Sequence, residues 1–169
     1  EYYRKILAVK SNNAAEWEKR RSEWASQNTE LANKLHSFFE RDIPEIDYKA
    51  VQQKEGSATR AASAAMLSIF ASKIENMIVA SADLANSDKT DGFLKNTHPF
   101  TKGDFTGAFL HAGVSELTMA SIMNGMALHG GVIPACGTFF VFSDYMKPAV
   151  RLACLMRLPV NYIWTHDAF

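Results

Sequence analysis

AFLHAGVSELTMASIMNGMALHGG, residues 108–131, passes from a short apolar run through a glycine-containing turn into a helix-length segment that closes on two glycines. Ala108 to His111 is too short for a helix and predicts a buried strand, whereas Ser115 to Leu128 predicts a helix. Met119, Ile122, Met123 and Met126 fall at i, i+3, i+4 and i+7 of that helix and are read as core, because flexible thioethers fill irregular interior gaps. Gly130 and Gly131 supply the stop.

Glu116 is the one acid or base in that predicted helix. From Phe105 to Phe169 the only Asp, Glu, Lys or Arg residues are Glu116, Asp144, Lys147, Arg151, Arg157 and Asp167. An ionisable group opening an apolar helix costs free energy unless it is paired or hydrogen-bonded, which marks Glu116 as a functional candidate. The plainer reading is a first-turn glutamate favoured by the helix dipole, and the local sequence leaves both open.

Working outward, the same alternation repeats. Val132 to Cys136 predicts a strand, Phe139 to Leu158 a helical region interrupted near Pro148, and Val160 to Thr165 a further strand. Upstream, Met77 to Ala80 predicts a short buried strand, separated from Ala108 by a polar loop. Before it, Leu67, Phe70, Ala71 and Ile74 form a helical stripe, and Ala58, Ala61, Ala62, Ala64 and Ala65 permit close packing. Apolar strands separated by helices imply an α/β fold, a doubly wound and mostly parallel sheet with helices on both faces. Ligands bind such sheets at the carboxyl ends of the strands, here Ser81-Ala82-Asp83, Gly113 to Glu116, Gly137 to Phe139 and His166-Asp167.

More than half of all charges precede Gly56, which places a boundary at Lys54 to Ser57. Residues 1–55 are expected to form a helical extension and residues 56–169 the sheet domain. Asn13 followed by Glu16 suggests a capping box, with Trp17, Trp24, Leu31, Leu35 and Phe38 on one helical face; the heptad-like spacing spans too few turns to favour a coiled coil over a helix packed on a neighbouring domain. Asp42-Ile43-Pro44 ends that helix. The chain begins at Glu1 rather than Met and stops after an apolar segment, so a piece of a longer chain is expected.

The 18 Lys and Arg residues balance 18 Asp and Glu, with no basic stripe, which argues against nucleic acid as the main partner. No run approaches the roughly 20 apolar residues that span a bilayer, and Glu1 to Lys10 lacks the layout of a signal peptide, so a cytoplasmic protein without a membrane partner is expected. Cys136 and Cys154 lack any CxxC spacing and are read as reduced core residues. There is no GxGxxG, Walker lysine motif, GxSxG or HExxH. Asp83, Glu116 and His166 each follow a predicted strand, and Phe139, Phe142 and Tyr145 recur every three residues, as one face of a helix would.

Gly113-Val114-x-Glu116 followed by Met119 and ALHGG, then GTFFVFSDYMKPAVRLACLM, then THD, with SATR and SADLAxS upstream, resembles the pyrimidine-binding domain of transketolase. The resemblance covers about Gly56 to Phe169 and implies the linker and tail of a preceding diphosphate-binding domain for residues 1–55. It implies transfer of a two-carbon ketol unit between sugar phosphates through thiamine diphosphate and a divalent cation, Mg2+ or Ca2+, in a homodimer whose active site lies between subunits. By position, Glu116 would hydrogen-bond the cofactor's aminopyrimidine and favour its imino form. Phe139, Phe142 and Tyr145 would enclose that ring, and Asp83 would lie near the thiazolium. Arg60 and Ser87 would bind the sugar phosphate, and His166 would contact substrate beside the reacting carbonyl. No metal ligand falls in this chain, the diphosphate and metal ligands of the family belong to an absent domain, and the isolated segment is expected to bind no cofactor and to be inactive.

The sequence departs from the family pattern at Ser115 and Leu117, where Arg and His or Phe are usual, and at Asn86, where Pro is usual. Dihydroxyacetone synthase, deoxyxylulose phosphate synthase, or a non-catalytic dimerisation module of the same fold are the alternatives.

Overall fold

The computed structural model describes residues 1–167, in two compact units, Glu1–Glu40 and a second beginning at Arg41. The first unit is a pair of helices, α1 (Tyr2–Gln27) and α2 (Thr29–Glu40). The capping box expected at Asn13 is not a helix start, because Tyr2 to Lys10 supplies helix formers upstream and α1 runs through Asn13 without a break. The interruption lies at Asn28, whose side-chain amide donates to the Trp24 carbonyl at 2.9 Å. Trp17 and Trp24 on α1 and Leu35 on α2 therefore belong to two helices rather than one face, yet they line a common groove with Arg20 and Arg21.

The second unit is an α/β domain. Its helices are α3 (Thr59–Lys73), α4 (Ala85–Asp88), α5 (Glu116–His129) and α6 (Ser143–Met156). Its strands are β1 (Met77–Ser81), β2 (Phe109–His111), β3 (Ile133–Phe139) and β4 (Asn161–Thr165). All pair in parallel in the order β2-β1-β3-β4, with Ser81 opposite His111 on one side and Gly137 on the other. The sheet is wound on both faces, as the alternation of apolar runs implied.

Side-chain alternation along the strands divides the core. Val79, Phe109 and Ala135 pack with Leu67 of α3 and with Phe93 of a 3-10 segment, Thr90–Asn96. Ala80 and Cys136 point to the other face, against Met119, Ala120 and Met123 of α5 and Met146 and Ala149 of α6. That second core is fastened by Tyr162 on β4, which donates to Asn124 Oδ1 at 2.5 Å, while Asn124 Nδ2 donates to the Ala149 carbonyl at 2.8 Å.

Three local expectations give way. Ile122 is 39 % exposed, although Met119 and Met123 are fully buried, because it falls about 100° round the helix from Met123. Cys154 is exposed, one residue and about 100° past Ala153 on the buried face of α6. Helix α6 continues through Pro148; Pro148 and Asp144, whose carbonyl has no N–H donor from the proline, are both exposed residues. The interruption falls earlier, in the 3-10 turn Phe140–Phe142 that links β3 to α6.

Candidate functional site

Because the four strands are parallel, their carboxyl ends share one edge, and each expected site residue of the sheet domain lies at that edge or on a helix bordering it. The backbone there is strained. Asp83 (φ 63°) follows β1, Lys89 (φ 69°) follows α4 and His166 (φ 58°) follows β4, all in the left-handed region that L side chains disfavour.

Glu116 opens α5 and is 7 % exposed, so its carboxylate is held in the protein at a helix N-terminus. Ser115 does not cap the helix. Its hydroxyl donates backward to the Ala112 carbonyl at 2.7 Å, after a turn in which Gly113 adopts φ 70°. Among the described residues, no side chain or backbone N–H donates to Glu116, leaving its carboxylate free for a ligand.

Phe139, Phe142 and Tyr145 do not share a helical face, since Phe139 ends β3, Phe142 closes the 3-10 turn and Tyr145 lies in α6. Their rings nevertheless form a ladder. Phe139 and Phe142 stack at 5.7 Å with 9° between planes, and Phe142 and Tyr145 at 6.2 Å with 27°. The Thr138 hydroxyl, fully buried beside this ladder in the chain, has no hydrogen-bond partner among the described residues.

Arg60, Ser87 and His166 are brought together. Arg60 Nη1 donates to the Ser87 carbonyl at 3.1 Å and meets His166 Nε2 at 2.5 Å. A guanidinium only donates, so Nε2 is the acceptor and the ring proton sits on Nδ1, directed at Thr165 Oγ1 at 2.9 Å. In this arrangement the Arg60 guanidinium occupies His166 Nε2. The His166 ring packs on Phe139 at 3.8 Å, which joins this cluster to the aromatic ladder. A cleft of about 490 Å3 opens between Thr59, Arg60 and Ser63 on one side and Trp164, His166 and Asp167 on the other. Among the described residues, no group of three His, Cys, Asp or Glu side chains is arranged to hold a metal ion.

Residues 55–169 match the family described as transketolase, pyrimidine binding domain. The chain belongs to the transketolase family. Its transketolase relatives include that of Bacillus subtilis, 44% identical over 161 residues, covering 89% of this chain and 24% of the relative. The transketolase of Sinorhizobium medicae is 49% identical over 111 residues, 66% of this chain and 16% of that protein. Among solved structures, transketolase from Leishmania mexicana superposes with a TM-score of 0.83 at 29% identity, over 94% of this chain and 24% of that one. Transketolase from Pichia stipitis in complex with sedoheptulose 7-phosphate gives 0.80 at 30% identity, over 95% of this chain and 25% of that one. This transketolase segment thus spans about a quarter of the length of most curated relatives it matches.

Sequence reasoning missed Asp88 and Thr138. Asp88 lies in a polar run where an acid attracts no notice, and Thr138 is inconspicuous beside three phenylalanines; only burial distinguishes them.

Proposed function

We propose that this chain is part of a transketolase that moves a two-carbon ketol unit from a ketose phosphate to an aldose phosphate. It supplies the pocket for the pyrimidine of thiamine diphosphate, with residues 1–55 leading in from a diphosphate-binding domain. The observation that carries the reading is the unpartnered, buried carboxylate of Glu116 at the same sheet edge as the stacked Phe139, Phe142 and Tyr145. A flat heteroaromatic ring bearing N–H groups fits that combination, since aromatic faces hold a ring by stacking and an unpartnered carboxylate on a largely buried side chain can accept from its edge.

When bound, thiamine diphosphate supplies the carbon nucleophile that carries the two-carbon unit. Glu116 offers a carboxyl oxygen to the pyrimidine edge and fixes its proton distribution. Phe139, Phe142 and Tyr145 orient the ring and exclude water, and Asp83 contributes a carboxylate after β1. Arg60 and Ser87 take the sugar phosphate, a planar cation and a hydroxyl suited to an oxyanion. An anion that draws the Arg60 N–H away leaves His166 Nε2 open to take a proton and donate to the substrate. The Pichia stipitis enzyme has been solved with several sugar phosphates, which supports the substrate class. The divalent cation, Mg2+ or Ca2+, and the diphosphate are held by other segments of the parent chain, so this segment alone is inactive.

We further infer a homodimer, supported by the exposed side of α5, where Leu117, Ile122 and Leu128 carry no charge. A cytoplasmic setting is supported by two unpaired cysteines and by the lack of any described helix long and apolar enough to cross a membrane.

Glu116→Gln in the full-length enzyme is expected to lower ketol transfer about a hundredfold or more while thiamine diphosphate still binds. Turnover is measured with xylulose 5-phosphate as donor and binding by titration calorimetry. Turnover within a few-fold of the parent enzyme removes the assignment.

A further inference from the structure

Asp88 is 0 % exposed, and the function above gives it no part. Its Oδ2 accepts from the Ser81 hydroxyl at 2.8 Å, and its Oδ1 from the Thr90 N–H at 2.8 Å and the Thr90 hydroxyl at 2.7 Å. Three donors converge on a group that, ionised, can only accept. Ser81 Oγ in turn accepts from the Leu84 N–H at 3.2 Å. One carboxylate thereby joins the last residue of β1 to Thr90 and closes the loop between them.

The neighbouring strand leaves room for this arrangement. Gly137 of β3 pairs with Ser81, and a Cβ there would stand 2.4 Å from Thr90 Cγ2 and 3.0 Å from Asp88 Oδ2. Its backbone is not in the glycine region, so what the position requires is space. The notch lies between β1 and β3, where the strand order reverses, and in open parallel sheets the ligand crevice forms at that reversal.

The fastened loop carries Asp83 and Ser87, and the Ser87 carbonyl is one of the two groups that orient Arg60. Resting on the function proposed above, we propose that Asp88 is a positioning residue. Seated in the notch left by Gly137, it fastens the Ser81–Thr90 loop and so holds Ser87, and through it Arg60, in register for the phosphate end of the sugar. It touches neither substrate nor cofactor, and it acts by fixing the carbonyl that anchors the guanidinium.

The test uses the full-length enzyme with xylulose 5-phosphate and unphosphorylated xylulose as donors. Asp88→Ala is expected to raise KM for xylulose 5-phosphate about tenfold, with kcat and the KM for xylulose each within about twofold. Asp88→Asn keeps the shape and the acceptor for Thr90, and restores KM to within about twofold of the parent. Gly137→Ala fills the notch and is expected to reproduce the Asp88→Ala pattern. Equal losses on both donors, or no rescue by Asn, would overturn the proposal. Where Asp88→Ala does not fold, Ser81→Ala, which removes one of the three donors, is expected to give a smaller rise confined to the phosphorylated donor.

A parent enzyme inactive on xylulose 5-phosphate would refute the proposed function instead. Asp88 is then judged by hydrogen exchange over residues 84–90, where Ala is expected to abolish amide protection that Asn preserves. Protection unchanged in Asp88→Ala overturns the fastening role whatever the activity.

Discussion

Glu116 and Asp88 are both buried acids, and their surroundings separate them: the first has no described donor, the second has three. Glu116 was legible in the sequence because a lone charge in an uncharged helix stands out. Asp88 was not, since its meaning depends on Ser81 and Gly137, which only the fold brings beside it. Burial pushes the Asp88 carboxyl above its ordinary value of 3.8; the donated bonds from Thr90 and Ser81 oppose this, and the nearby Asp91 charge adds to it. The folded value being the higher one, the stability linked to its protonation is full below the ordinary value and lost as pH rises through the folded value. Asp88→Asn has no such titration. The melting temperature of the parent protein relative to Asp88→Asn should therefore rise as pH falls from about 7 to about 4, measured by calorimetry. A difference constant across that range would show that burial does not govern this carboxyl. Cys136, close enough for the Asp88 charge to reach, has its thiol pushed up to about 12 mainly by burial and stays protonated throughout that range.

At the level of elements, periodicity located the four described strands and helices α3, α5 and α6, but not their ends, and it read α4 and the 3-10 segment Thr90–Asn96 as polar loop because neither carries a helical apolar stripe. Strand β3 runs on to Phe139 because its parallel pairing with β4 continues to Thr165, a long-range partnership that no local pattern reports. The aromatic triplet was read as one helical face for the same reason: the chain changes from strand to 3-10 turn to α-helix within it, and the rings align regardless. Asn13 misled because a capping box matters only where a helix has to begin. The Met reading is sharper. Met119 and Met123 are both 0 % exposed between α5 and the sheet, so Met123→Ala should destabilise the domain by about 2–5 kcal/mol. Urea unfolding of the full-length protein measures this, and a loss below about 1 kcal/mol would mean that the α5 seam collapses around the gap.

For the whole molecule, the chain spans about a quarter of the length of most curated relatives it matches, and its unpartnered surface is set by one helix. Helix α5 is apolar around most of its circumference: one side is buried against the sheet and α6, and the other presents Leu117, Ile122 and Leu128. Composition had already shown the shortage of charge in this half, but which surface it left bare required the coordinates. If that face meets its copy in the dimer, Leu128→Glu in the full-length protein should shift sedimentation from dimer toward monomer at about micromolar concentration, because a carboxylate buried without a partner is strongly unfavourable. An undisturbed dimer would take α5 out of the interface.

The left-handed residues at the carboxyl edge of the sheet bear on how such a protein could be improved. Asp83, Lys89 and His166 each hold a conformation that costs a non-glycine residue about 1 kcal/mol, and glycine would relieve it. A directed-evolution library screened for heat resistance alone would be drawn to these codons. At Asp83 and His166 the gain would come by discarding a carboxylate and an imidazole, while at Lys89 it would discard neither; under the roles proposed for Asp83 and His166, thermal selection and turnover conflict at two of the three positions and agree at the third.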